Sequence, residues 1–135
     1  METGLRKSLE SEIESIANKF LEATLDKDIF IISHFDTDGI TSATILVQTL
    51  KKLDKRFSLK IVKRLEEETI LNLPKDKVII FLDLASASLN HLSKTGLKDI
   101  FIIDHHEVFQ AIPENIHILN PHLNGKEEIS SSSLV

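Results

Sequence analysis

From Leu5 to Leu25 apolar residues return every three to five positions, at Leu5, Leu9, Ile13, Ile16, Phe20 and Leu25, with Glu and Lys between them. That spacing predicts an amphipathic helix lying on a core. Beyond it the period changes. Ile29–Ser33 is a short continuous apolar run closing on polar residues, the pattern of a strand buried on both faces. Gly39–Lys55 places Ile40, Ala43, Ile45, Leu46, Leu50 and Leu53 on a helical period. Phe57–Val62 reads as a second strand, and Glu66–Leu73 fits a short helix stopped by Pro74. Val78–Leu82 is a third strand, Ser86–Lys94 a short helix ending near Gly96, Ile100–Ile103 a fourth strand and His117–Leu119 a short fifth. Ser130–Ser133 supplies capping residues for one more helix.

Strands alternating with helices predict an α/β fold: a three-layer α/β/α arrangement with a mainly parallel sheet of about five strands and right-handed crossovers. The expected organisation is an N-terminal helix over residues 1–27 packed on one domain over 28–135, with no repeat and no linker. A helix nucleated by the final serines would have almost no length before Val135, so the sequence is expected to be a piece of a longer protein.

Composition narrows the chemistry. At 135 residues, 41% hydrophobic and 27% charged, the chain suits one globular domain. It has no Cys, which excludes disulfides, thiolate metal sites and thiol catalysis. No apolar run approaches the roughly 18 residues of a membrane span, and Met1–Glu10 has no signal-peptide core, so a cytoplasmic setting without membrane association is the default expectation. The net charge of −5 is not the footprint of a non-specific nucleic-acid coat, although bound divalent cations would reverse the local sign. All seven aromatic residues are Phe, so no Tyr or Trp stacking platform exists.

Three strands end in acidic or imidazole side chains. The first runs into Ser33-His34-Phe35-Asp36-Thr37-Asp38-Gly39, the third into Asp83-Leu84, and the fourth into Asp104-His105-His106-Glu107. Ligands of open α/β sheets bind outside the carboxyl ends of the strands, so neighbouring first, third and fourth strands would bring these tips into one crevice. Asp36, Asp38, Asp83 and Asp104 would then form a self-repelling carboxylate cluster that divalent cations neutralise. Carboxylate and imidazole donors without thiolate suit Mn²⁺, with Mg²⁺ or Zn²⁺ as alternatives, and paired metals of this kind serve phosphoryl-ester hydrolysis. Taken singly, each tip is ordinary. A lone Asp at a strand end is usually a turn residue or helix cap. A calcium-loop reading of Asp36–Gly39 fails because Val47 stands where the twelfth-position Glu should be. The joint occurrence of all three tips is the specific signal.

The ordered set His34-Phe35-Asp36-Thr37-Asp38-Gly39-Ile40-Thr41-Ser42-Ala43, then Asp83, then Asp104-His105-His106, resembles the DHH phosphoesterase family, and most closely its RecJ-like, archaeal-type branch. The resemblance runs from about Asp28 to Val135. It implies that His34 and Asp36 ligate one metal, that Asp38 and His105 ligate the other, and that Asp83 bridges them. It implies that His106 contacts the scissile phosphate or assists the leaving group, while Asp104 supports the site. Asn120, His122, Ser131 and Ser132 resemble segments lying near substrate. Two Mn²⁺ ions are the implied cofactors, with Mg²⁺ an alternative.

The sequence departs from the family pattern in two ways. A further metal-binding Asp beyond the Asp-His-His triplet and a C-terminal Gly-rich substrate-binding domain both lie outside these residues, so the second metal site is expected to be incomplete here. The implied activity is exonucleolytic hydrolysis of single-stranded DNA or RNA. NanoRNase, cyclic-dinucleotide phosphodiesterase, small-molecule phosphatase or a non-catalytic subunit paired with the GINS replication complex are the alternatives. Pyrophosphatases of the family place their first His four residues before the first Asp, whereas His34 stands two before Asp36. A basic stretch, Lys51, Lys52, Lys55, Arg56, Lys60, Lys63 and Arg64, reads either as a guide for a phosphodiester backbone or as a solvated helix end.

Overall fold

A computed structural model describes residues 2–108, 110–121 and 131–135. The elements follow in the order α1 (Glu2–Ala23), β1 (Ile29–His34), α2 (Thr37–Lys52), β2 (Phe57–Val62), α3 (Glu67–Leu71), β3 (Val78–Leu82), α4 (Leu89–Ser93), β4 (Ile100–Ile103), β5 (Ile116–Leu119) and α5 (Ser131–Leu134). The five strands form one sheet in the order β2-β1-β3-β4-β5, and every pairing is parallel. The three-layer α/β architecture expected from the sequence is therefore present.

Hydrophobic continuity explains the sheet's centre. Every residue of β3 and β4 is buried, because each strand has helices on both faces. Ile29, Ile31, Ile80, Leu82, Phe101 and Leu119 face a layer made by α1, α2 and α5. Ile32, Ile79, Phe81, Ile100, Ile102 and Ile118 face the layer of α3 and α4. Alternate residues of each strand thus feed two separate cores. β1 connects to β2 on one side through α2, and the chain then crosses to β3 on the other side, so β1 and β3 flank a topological switch point.

Element boundaries differ from the sequence expectations at several points: β1 runs one residue further, to His34, α2 ends at Lys52 rather than Lys55, α3 covers only Glu67–Leu71, and four further differences are local. α1 stops at Ala23: the Thr24 hydroxyl reaches the Leu21 carbonyl at 3.3 Å, and the Leu25 N–H turns to the Glu22 carbonyl at 3.4 Å in place of the helical bond to Leu21. Leu25 consequently falls off the predicted apolar stripe and is 73% exposed. α2 begins at Thr37 rather than Gly39, since Asp36 takes the N-cap position and accepts the Gly39 N–H at 2.8 Å. α4 is shortened to Leu89–Ser93, because the segment before it turns with positive φ at Asp83 (63°) and Ala85 (86°). β5 starts one residue early, at Ile116. Among the described residues, no helix is long and apolar enough to cross a membrane.

Candidate metal centre

The three chemically loaded strand tips meet at the carboxyl edge of β1, β3 and β4, which are consecutive in the sheet. The β1 tip is set by a tight turn. Ser33 is fully buried and its hydroxyl donates to the Gly39 carbonyl at 2.7 Å, folding the start of α2 back against the strand. Gly39 is required there by close approach: a Cβ at this position would lie 2.0 Å from the His34 carbonyl oxygen. The turn swings His34 and Asp36 to one side of the tip and leaves Asp38 on the first turn of α2.

Asp83 occupies the middle. It takes the left-handed conformation that Asp and Asn tolerate best, and its side chain is buried. One oxygen, Oδ2, lies 3.4 Å from His34 Nδ1, which is itself 3.0 Å from Asp36 Oδ2. The other, Oδ1, lies 2.8 Å from His105 Nε2, which is 3.5 Å from Asp38 Oδ2. Two half-sites, His34–Asp36 and His105–Asp38, thus share Asp83 as their common carboxylate.

Hydrogen bonds fix the donor atoms. His34 Nε2 lies 3.1 Å from the Lys63 carbonyl, which can only accept, so Nε2 carries the hydrogen. In a neutral ring Nδ1 then presents a lone pair to the oxygens of Asp36 and Asp83. Three electron-rich atoms converging in this way need a proton or a cation between them. Burial, together with Asp36 and Asp38, pushes the Asp83 carboxyl up to about 7. Burial acts on Asp36 in the same sense, but the Asp83 carboxyl, the Gly39 N–H and His34 outweigh it and hold Asp36 below its ordinary value. The acidic pair therefore shares one proton that Asp83 retains, and a cation would displace it. The donor atoms of His34, Asp36 and Asp83 lie within 4.8 Å of one another, as do those of Asp83, Asp104, His105 and His106, and carboxylate and imidazole sets of this kind fit a divalent ion.

Asp104 plays a different geometric part. It is buried, and Oδ1 accepts the His105 N–H at 2.8 Å while Oδ2 accepts the Ser86 N–H at 3.2 Å. Its Oδ1 also stands 2.6 Å from His106 Nδ1, with the His106 N–H at 3.4 Å. Burial lowers the tendency of His106 to hold a proton, but the Asp104 charge and hydrogen bond dominate and raise it above the ordinary His value. The His106 ring lies beside His105, their centroids 4.5 Å apart.

Of the residues expected near substrate, Asn120 is buried, with its amide 2.7 Å from the His106 carbonyl and 3.2 Å from Ser86 Oγ. His122 lies outside the described residues, as do the side chains of Ser131 and Ser132, whose main chain opens α5. The basic stretch separates in space. Lys63 and Arg64 follow the carboxyl end of β2, while Lys55 and Arg56 precede its opposite end, where Lys55 Nζ donates to the Thr24 carbonyl at 3.3 Å beyond α1. Lys55 thus serves a helix end, as cations commonly do. Sequence reasoning missed Ser33, Ser86 and the Lys63 carbonyl. A buried Ser directly before a strand-end His was a readable signal, whereas a main-chain carbonyl leaves none.

Comparison with known proteins agrees with this geometry. The sequence profile of the DHH family, N-terminal domain, matches residues 28–135. An uncharacterised protein of Methanocaldococcus jannaschii is 35% identical over 136 residues, covering 91% of this chain and 31% of that protein. The single-stranded-DNA-specific exonuclease RecJ of Bacillus subtilis is 30% identical over 104 residues, covering 69% of this chain and 13% of RecJ. The chain thus spans less than a third of the length of either relative. Among solved structures, RecJ from Thermus thermophilus in complex with Mn²⁺ superposes with a TM-score of 0.73 at 19% identity, over 91% of this chain and 19% of that one. CDC45 from Entamoeba histolytica superposes with a TM-score of 0.64 at 21% identity, over 80% and 24%. At these identities the structural likeness speaks to the fold.

Proposed function

Since the chain belongs to the DHH family, we propose that it forms the metal-holding half of a divalent-cation-dependent phosphoesterase of the RecJ-like type, acting on single-stranded nucleic acid. The observation that carries this reading is the sharing of Asp83 between the His34–Asp36 and His105–Asp38 half-sites. On this reading His34, Asp36 and Asp83 hold one cation, and Asp38, Asp83 and His105 hold the second. Mn²⁺ is the first candidate, given the Mn²⁺-containing RecJ relative, and Mg²⁺ the alternative. When bound, the cations supply an activated water and neutralise the charge that builds on the phosphoryl group.

The chain's own side chains do the rest. Asp83 must give up its proton for the two half-sites to fill together. His106 stands beside His105 with its raised proton affinity, which suits it to hydrogen-bond a phosphate oxygen or to donate to the departing oxygen. Asp104 holds that imidazole through Nδ1 and leaves Nε2 for substrate. The preference for a single-stranded polymer rests on the RecJ relatives. A role as a replication-complex subunit, of the kind that could pair with the GINS complex, draws on the CDC45 likeness, and the three intact His and Asp motifs that meet at the sheet edge argue for chemistry over a purely structural part.

The test is hydrolysis of labelled single-stranded DNA and RNA by the intact protein with Mn²⁺, beside cyclic dinucleotides and pyrophosphate. Asp83→Ala is expected to abolish turnover on the preferred substrate while the circular dichroism stays native. Turnover retained by that variant would defeat the assignment.

A further inference from the structure

We propose that Asn120 is a positioning residue for His106, acting through the His106 main chain with Ser86 as its anchor. The inference rests on the phosphoesterase reading for its functional consequence, but its geometric content stands apart from it. His106 has a weakly packed side chain, 54% exposed. Nδ1 on Asp104, the neighbouring His105 ring and a long 3.4 Å bond from its N–H to Asp104 hold the imidazole side of the residue, which leaves the carbonyl side of its backbone free to rock unless another group holds it. Asn120 removes that freedom. It follows β5 directly, is 1% exposed, and turns one amide nitrogen onto both the His106 carbonyl at 2.7 Å and Ser86 Oγ at 3.2 Å.

Ser86, equally buried, closes the circuit by donating its main-chain N–H to Asp104 Oδ2 at 3.2 Å. Asp104, His106, Asn120 and Ser86 therefore form a ring of contacts drawn from three strand ends: those of β3, β4 and β5. Burying a carboxamide is unfavourable unless its polar atoms find partners, and the His106 carbonyl and Ser86 Oγ are two that Asn120 finds here. The arrangement also gives β5, which supplies none of the clustered His and Asp residues, a direct link to the site. The same Asp83–Ser88 turn that presents Asp83 thus also sets His106.

The experiment compares wild type, Asn120→Ala, Asn120→Asp and Ser86→Ala. In metal-free protein labelled at histidine, side-chain couplings are expected to report one χ1 rotamer for His106 in wild type, averaging in both Asn120 variants, and partial averaging in Ser86→Ala. Mn²⁺ affinity by electron paramagnetic resonance should stay within about threefold of wild type, because the bonds from Asn120 to the His106 carbonyl and Ser86 Oγ involve no atom of the proposed ligands. In the intact protein kcat should fall about 10- to 100-fold with KM nearly unchanged, the usual scale for supporting hydrogen bonds around a metal site. Should an Asn120 variant fail to fold, Ser86→Ala decides alone, because it deletes only the anchor. A single unaltered His106 rotamer in the variants, or loss of Mn²⁺ affinity in step with kcat, overturns the proposal. Absence of Mn²⁺-dependent hydrolysis in wild type would instead sink the phosphoesterase reading and leave the rotamer result to decide the positioning.

Discussion

Asp83→Asn should stabilise the metal-free protein and destabilise the metal-loaded one relative to wild type. The left-handed backbone at residue 83 (φ 63°) accepts Asn as readily as Asp, so the substitution changes charge without straining the turn. In wild type the folded carboxyl keeps its proton up to about 7, whereas the unfolded one loses it near 3.8. Protons bound by the folded state therefore exceed those bound by the unfolded state between these values, and metal-free stability falls as pH rises across that window. Above it the deficit is complete. Each tenfold in proton affinity corresponds to about 1.4 kcal/mol, so the ceiling is about 4 kcal/mol, and relaxation of the exposed Asp36 side chain brings the expectation to about 2–4 kcal/mol. The neutral amide of the variant has no such deficit. In EDTA at pH 8 the variant should thus melt several degrees above wild type, by about 2–4 °C or more per kcal/mol, and the gap should close by pH 4. Saturating Mn²⁺ should reverse the order, since ligand binding to the native state stabilises it by mass action and the variant has lost the shared carboxylate. Denaturant melts at pH 4, 6 and 8, with and without Mn²⁺, read this directly. A variant less stable than wild type in EDTA at pH 8, or a wild type whose metal-free stability rises from pH 4 to 8 relative to the variant, would refute the shared-proton account of the cluster.

Further outcomes follow from the same geometry. Mn²⁺ affinity, measured by titration calorimetry, should weaken about tenfold per pH unit below about 7, because one proton must leave Asp83 for each binding event. Gly39→Ala should cost about 3 kcal/mol or more and impair Mn²⁺ binding together with stability, because the new Cβ meets the main chain of His34 and not a flexible side chain. Asp104→Asn should cost about 2–4 kcal/mol in a denaturant melt, since an NH₂ group replaces an oxygen facing the N–H groups of Ser86, His105 or His106. Lys55→Met should cost about 1 kcal/mol or less and leave oligonucleotide binding unchanged in a polarisation assay, because its ammonium group serves the Thr24 carbonyl far from the strand tips.

The legible part of this molecule was its strands. Val78–Leu82 and Ile100–Ile103 appear in the structure with the bounds read from the sequence, because a strand buried on both faces must be apolar throughout and is cut off sharply by its first polar residue. That same cut-off located the site, since the residue ending each run is the one delivered to the sheet edge. Helix bounds were less legible where competing local bonds decide them: the Thr24 hydroxyl at the Leu21 carbonyl and the Leu25 N–H at Glu22 ended α1 before Leu25, and positive φ at Asp83 and Ala85 delayed α4. The adjacency of β1, β3 and β4 was conditional on topology, which no residue encodes singly; it follows from α2 and the α3–α4 layer taking opposite faces. Least legible were contacts whose partner is main chain. The Lys63 carbonyl at His34 and the His106 carbonyl at Asn120 would survive many side-chain substitutions, so a sequence reading built on side-chain chemistry passes over them. Yet these carbonyls help select which ring nitrogen of His34 faces the carboxylates and where the His106 backbone rests. Residue identity names the candidate ligands, then, while main-chain geometry sets the direction in which their electron pairs point.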